Sequence, residues 1–220
     1  TSRGTSASNP YANPANYRDP RFADVFYFTN TSKGGGWDFT MRLAKPWNNN
    51  WSASLAWTRS DYTEVTPMTS SVAQSNFNGR ALVNSNEDVD STCNYNIDDK
   101  IVGVVTKRFE FVKRFPTTVS AIFEARTGRP YSWVYFGDGN GDGFSFNDLF
   151  YMPSGPTDPK VRWTNTTQRD AFFAFAAANG LDKYAGRVVP RNSERSPWVA
   201  TMDLKITQTI PLYRRLYSEL

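Results

Sequence analysis

Two hundred and twenty residues supply enough chain for one or two domains and a real core. There is no His and a single Cys93, which excludes a Ser-His-Asp triad, a Cys-His pair, His-ligated metal, an internal disulfide and a cysteine zinc cluster. The 25 basic and 21 acidic side chains leave a net charge of +4 and are mostly scattered singly, so no anionic partner is indicated.

The densest basic stretch, residues 107–114 (KRFEFVKR), alternates charge with aromatics beside a turn. It reads as a strand end facing water, and no nucleic-acid partner is expected. No apolar run approaches the roughly 20 residues of a membrane-spanning helix, so a membrane role would need β-strands or an anchor. The 16 Phe, 11 Tyr and 7 Trp are many for a soluble domain and suggest aromatics on a surface as well as in a core.

In chain order, residues 1–22 show no initiator Met, leader pattern or cleavage site, and the far end stops at RRLYSEL as if a strand were beginning. A fragment of a longer protein is therefore expected. Residues 22–30 form a weak strand candidate that turns through TSKGGG. From Trp37, the alternation of Trp37, Phe39, Met41 and Leu43 with Asp38, Thr40, Arg42 and Ala44 has period two, hence strand. After PWNNN, residues 51–60 set Trp51, Ala53, Leu55 and Trp57 against Ser52, Ser54, Ala56 and Thr58, which completes a tight hairpin.

A third run, residues 101–114, alternates less cleanly and turns at Phe115-Pro116 into TTVSAIFEART. There Val119, Ala121, Phe123 and Ala125 oppose Ser120, Glu124 and Arg126, with Ile122 breaking the second face. The last strand, residues 199–210, sets Ala200, Met202, Leu204, Ile206 and Ile210 against Thr201, Asp203, Lys205, Thr207 and Thr209. Residues 168–180 read as a short loop helix closed by Asn179-Gly180. Its Phe172, Phe173 and Phe175 are expected to pack on the loop's own core.

Tight turns near residues 46–51 and 114–117 alternate with long excursions, 61–99 and 128–198. Compact soluble domains seldom hold structureless loops this long, whereas outer-membrane barrels have short turns at one end and long loops at the other. Strands of about ten residues fit as well. Trp37, Trp47, Trp51, Trp57, Phe111, Phe115 and Tyr213 fall near expected strand ends, where barrels carry aromatic girdles. The expected fold is all-β: an antiparallel transmembrane β-barrel segment with long extracellular loops, with a soluble β-sandwich as the alternative. Five or six strands are fewer than the ~8 of the smallest bacterial barrels, so completion by strands of a longer chain is expected.

The stretch DGNGDGFSFNDL places Asp138, Asn140 and Asp142 at alternate positions before Gly143. This resembles the start of a calcium loop, because a hard cation takes six to eight oxygens at about 2.3–2.6 Å and ligands spaced by two can converge. The carbonyl of Phe144 would follow, and Asp148, one position before the usual twelfth, or Asn147 would close the loop. Metal-free Asp-Gly and Asn-Gly turns look the same in sequence. Glu64, Glu87, Asp88, Asp90, Asp98 and Asp99 lie on the first long loop. A pair among them could serve glycoside hydrolysis, although solvated loop charge is the commoner meaning.

Residues 127–155 (TGRPYSWVYFGDGNGDGFSFNDLFYMPSG), 184–198 (YAGRVVPRNSERSPW) and 202–212 (MDLKITQTIPL) together resemble Oar-like TonB-dependent receptors of Gram-negative outer membranes, in order and spacing. Residues 51–77 resemble the strand and loop that precede them. The resemblance spans most of the chain, taken as one partial barrel domain over 1–220. It implies the C-terminal part of a barrel of about 22 strands, with the plug and TonB box outside this sequence. Implied partners are outer-membrane lipid, the TonB complex through the plug, and an unidentified extracellular substrate. No catalytic residue is implied, and no enzyme is expected. Asp38, Thr40, Arg42, Ser52, Ser54, Glu124, Arg126, Asp203 and Lys205 would then face the lumen, and the alternate apolar set would meet lipid.

Overall fold

The computed structural model describes residue 26 and residues 28–84, 86–140, 143–213 and 216–219, arranged as two compact units. The sheet unit comprises Gly36–Tyr62, Tyr95–Arg129 and Arg195–Leu220. The loop unit comprises the described residues up to Gly35 with Thr63–Asn94 and Pro130–Glu194. In chain order the elements are β1 (Gly35–Asn48), β2 (Trp51–Glu64), α1 (Ala73–Asn78), β3 (Ser91–Thr92), β4 (Asp99–Phe109), β5 (Thr117–Arg126), β6 (Pro130–Tyr131) and β7 (Tyr151–Met152). They continue with α2 (Thr166–Ala178), a 3-10 turn at Leu181–Tyr184, β8 (Arg187–Val188), β9 (Glu194–Arg195), β10 (Val199–Tyr213) and β11 (Leu216–Glu219).

The protein is thus mostly antiparallel β-sheet with few helices, and among the described residues the sheet does not close into a barrel. Its order is β1-β2-β4-β5-β10-β11. Asn49 and Asn50 join β1 to β2 with φ of 55° and 62°, the paired left-handed conformation of a tight hairpin turn that Asn tolerates. Pro46 sits in β1 without breaking a central ladder because β1 is an edge of this sheet.

The strands differ from the sequence expectation mainly at their ends. β2 runs on to Glu64, and Asp99 opens β4 by pairing with Arg59, so the first long connection is residues 65–98 and contains α1 and β3. β4 stops at Phe109, opposite Thr117, and not at Arg114. Pro116 has no N–H to give, Arg114 takes a φ of 80°, and the Phe115 N–H turns back to the Val112 carbonyl at 3.0 Å. β10 extends past Ile210 to Tyr213. Of the weak candidate at 22–30, residues 22–25 and 27 lie outside the described residues, and Phe26 and residues 28–30 are not in a strand.

The second long connection is not structureless. The loop unit has its own core of Met152, Ala176, Leu181 and Val189, with Trp133, Phe150, Phe172, Phe173 and Tyr184 packed against it. Phe172 and Phe173 therefore pack as expected, while Phe175 is half-exposed and meets Trp133 edge-on at 5.8 Å. Helix α2 starts where Asn165 accepts the Gln168 N–H at 2.8 Å, and ends before Gly180 at φ 66°. The core-facing side of α2 depends on that start. Asn165→Ala should lower the melting temperature by a few degrees, corresponding to about 1 kcal/mol; an unchanged calorimetric transition would show that the cap contributes nothing.

Candidate functional site

The registers of β2, β4, β5 and β10 bring residues of one kind into rows across the sheet. Leu55, Gly103, Phe123 and Met202 form one row, and Ala53, Val105, Ala121 and Leu204 the next. Trp57, Ile101, Ala125 and Ala200 form a third, and Trp51, Lys107, Val119 and Ile206 a fourth. Successive strand residues point to opposite faces, so these rows make one face that is apolar except for Lys107 in the fourth row. Phe39 of β1 packs edge-on against Trp57 at 6.1 Å, which places the β1 apolar set on the same face. Met202, Leu204 and Ile206 are 68%, 62% and 61% exposed, and Ala125 is the only buried hydrophobic of the sheet unit among the described residues. Trp57 lies in the middle of β2, not near a strand end, because β2 extends to Glu64.

The other face carries the polar partners. Thr40 and Thr58 hydroxyls meet at 2.9 Å, Ser60 and Tyr62 both donate to the Asp38 carboxylate, and Thr106 meets Ser120 at 3.1 Å. Glu124 pairs with Lys100 at 3.1 Å and with Arg126 at 3.6 Å. Ser54, Val104, Ile122 and Asp203 share one row, so the expected break at Ile122 joins Val104 in an apolar stripe on this face.

In the loop unit, the Asp-rich segment is held by its backbone. Leu82 pairs with Asp148, and Val134 with Leu149, so residues 147–149 are bonded on both sides. The Asp148 carboxylate accepts the Gly139 N–H at 2.6 Å, and Asp138 accepts the Gly143 N–H at 2.9 Å. Asn140 donates to the Val83 carbonyl at 3.1 Å, and the Phe144 ring meets Phe77 at 6.0 Å. Asp138, Asn140, Phe144 and Asp148 thus belong to one folded loop, while Asp142 lies outside the described residues. Among the described residues no three acidic or Cys side chains are grouped as a metal cluster.

Four of the six acidic residues singled out for hydrolysis, Glu64, Asp88, Asp98 and Asp99, have separate partners. Asp99 binds Arg59 at 2.5 Å and the Trp57 indole at 3.0 Å, and Asp98 binds Arg195 at 2.5 Å. Glu64 accepts the Asn94 N–H at 2.8 Å, and Asp88 accepts the Thr31 hydroxyl at 2.9 Å. Three loop residues escape the sequence reading: Arg80, Arg191 and Asp158. Each acts largely on main-chain groups, which leave no pattern in the side chains. The local turn signals beside them are Asn78-Gly79 before Arg80, Pro190 before Arg191 and the Asp-Pro pair at 158–159. Arg80 and Arg191 line a cleft of about 230 Å³ in the loop unit.

Compared with known proteins, the chain matches no family model, no curated protein and no solved structure.

Asp158 organises the turn after β7. It accepts the Ser154 N–H at 2.7 Å, the Lys160 N–H at 2.9 Å, the Tyr151 hydroxyl at 2.9 Å and the Ser154 hydroxyl at 3.0 Å. These donors, the Ser154 amide first, favour the carboxylate and hold its pKa at about 2, below the ordinary 3.8. The stabilisation is complete above the ordinary value and disappears as pH falls through about 2. Acid titrations followed by Trp fluorescence should therefore show the native chain and Asp158→Asn differing at pH 5 and converging below pH 2. A constant difference across that window would remove Asp158 from the turn's acid response.

Proposed function

We propose that the chain is part of an outer-membrane TonB-dependent receptor of the Oar-like kind, its sheet forming a portion of the barrel wall and its loop unit standing on the extracellular side. In this reading the protein binds and admits a substrate and carries out no catalysis. The observation that supports it best is the apolar face running in register across β2, β4, β5 and β10 with exposed Met202, Leu204 and Ile206. A water-soluble sandwich would bury such a face against a second sheet, whereas hydrocarbon solvates it. The opposite face, with Ser52, Ser54, Glu124, Arg126, Asp203 and Lys205, would line a wet lumen.

Lipid also demands that backbone groups along the borders of the sheet be paired, so the reading requires further strands beside β1 and β11. The Oar-like motifs at 127–155, 184–198 and 202–212 supply the same expectation. Within the loop unit, a calcium ion held by Asp138, Asn140, Asp142, the Phe144 carbonyl and Asp148 would staple the segment that follows β6. Titration calorimetry with Ca²⁺ should give a saturable signal that Asp138→Asn weakens; no heat in the parent protein would end the metal reading.

Facing is tested by substitution at adjacent rows. In the full-length protein refolded into vesicles, Leu204→Arg should cost ~2–4 kcal/mol if Leu204 lies near the bilayer midplane, and Ser54→Arg far less. Equal costs from urea titration would overturn the lipid-facing assignment. A chain that stays monodisperse without detergent would favour a soluble, calcium-stapled β-sandwich module instead.

A further inference from the structure

Two arginines far apart in sequence meet at one main-chain oxygen in the loop unit. The Val65 carbonyl accepts from Nη1 of Arg191 at 2.8 Å and from Nη1 of Arg80 at 3.4 Å. Arg80 also donates to the Thr66 hydroxyl at 3.0 Å and to the Glu87 carbonyl at 3.2 Å, and Arg191 Nη2 donates to the Glu64 carbonyl. Both residues are nearly out of water, Arg80 at 9% and Arg191 at 5% exposure. Burial pushes both pKa values down, and for Arg80 the neighbouring Arg191 charge adds to that effect.

A buried guanidinium is ordinarily matched by a carboxylate. Arg191 is not. Among the described residues its acceptors are the two carbonyls, which occupy two of the five N–H donors a guanidinium offers, and its buried Nε has no hydrogen-bond partner there. Glu64 and Asp90 act on it only through space, and the Glu64 carboxylate is engaged by the Asn94 N–H. Asn192, at φ 57°, locks the adjoining backbone. Its amide donates to the Thr92 carbonyl and to Asn94 Oδ1, and its own oxygen accepts from Ser132. The charge is therefore held in place with no carboxylate hydrogen-bonded to it among the described residues.

Arg80 and Arg191 line the 230 Å³ cleft together with Asn94, Ser132, Asn192 and Phe146. That space suits a group of a few heavy atoms and is smaller than a drug-sized site, which begins at about 300 Å³. We propose that this cleft binds a small oxyanion, a carboxylate or phosphate group carried by a ligand, with the Arg191 guanidinium as its main counter-charge, Arg80 as the second, and the polar side chains of Ser132 and Asn192 at its border. The planar guanidinium fork suits both kinds of oxyanion. The proposal rests on the loop unit alone and goes beyond the barrel reading, since it holds whether the sheet meets lipid or water.

The test uses the whole folded chain, in detergent if it needs one. Sodium phosphate and sodium citrate are titrated separately by calorimetry, with ionic strength held constant by sodium chloride. Saturable binding of either anion is expected, and the anion that binds identifies the source. The affinity should fall at least tenfold in Arg191→Gln and measurably in Arg191→Lys, which keeps the charge and loses the fork, while Arg169→Gln on α2 leaves it unchanged. If Arg191→Gln does not fold, the native chain still decides: the bound anion should raise its melting temperature beyond chloride at equal ionic strength. Heats and melting temperatures no different from chloride, or undiminished affinity in a folded Arg191→Gln, would overturn the proposal.

Discussion

Antiparallel register is the constraint on which the sheet unit depends. With a side-chain period of two, a slip of one residue in any ladder would send a whole strand's apolar set to the opposite face. The ladders avoid this in concert: Leu55 meets Gly103, Gly103 meets Phe123 and Phe123 meets Met202. Gly103 leaves room in that row, since a Cβ there would stand 3.7 Å from Leu55 and 3.9 Å from Phe123. The result is one face that avoids water and one that accepts it. Among the described residues of the sheet unit no hydrophobic but Ala125 is buried, so the stability of these strands depends on whatever covers that face.

The two units solve burial differently. The loop unit draws its core from widely spaced stretches: Trp133 and Phe150, the α2 phenylalanines, Leu181 and Val189. Its turns are held by side chains bonded to main-chain atoms, as with Asp158 on Ser154 and Lys160, and Arg191 on Glu64 and Val65. Such bonds satisfy backbone groups that a strand ladder would otherwise pair.

Much of the sheet is legible in the sequence because alternation is a local signal. The faces of β1, β2, β5 and β10 follow directly from it, and so does helix α2, though its Asn165 cap lies ahead of the residues that suggest the helix. Strand ends are less legible. β2 continues through Asp61 and Glu64 because pairing, not hydrophobicity, extends it, and β4 stops early because Pro116 and the left-handed Arg114 turn the chain. The loop unit is least legible. The Arg191 bonds to Glu64 and Val65 link positions 127 and 126 residues apart, and no short pattern announces them. The Asp-rich motif, by contrast, stands out in sequence, but the pairing of residues 147–149 on both sides does not.

The connectivity of β10 has a consequence for how the protein assembles. β1 with β2, and β4 with β5, are joined by short turns, so each pair closes with little loss of chain entropy. β10 instead pairs with β5 across residues 127–198, and most of that stretch belongs to the loop unit. Arg126 and Val199, at the two ends of that stretch, are partners in the ladder, so an insert that folds on its own would leave a far shorter loop to close when β10 joins β5 than a structureless stretch of the same length.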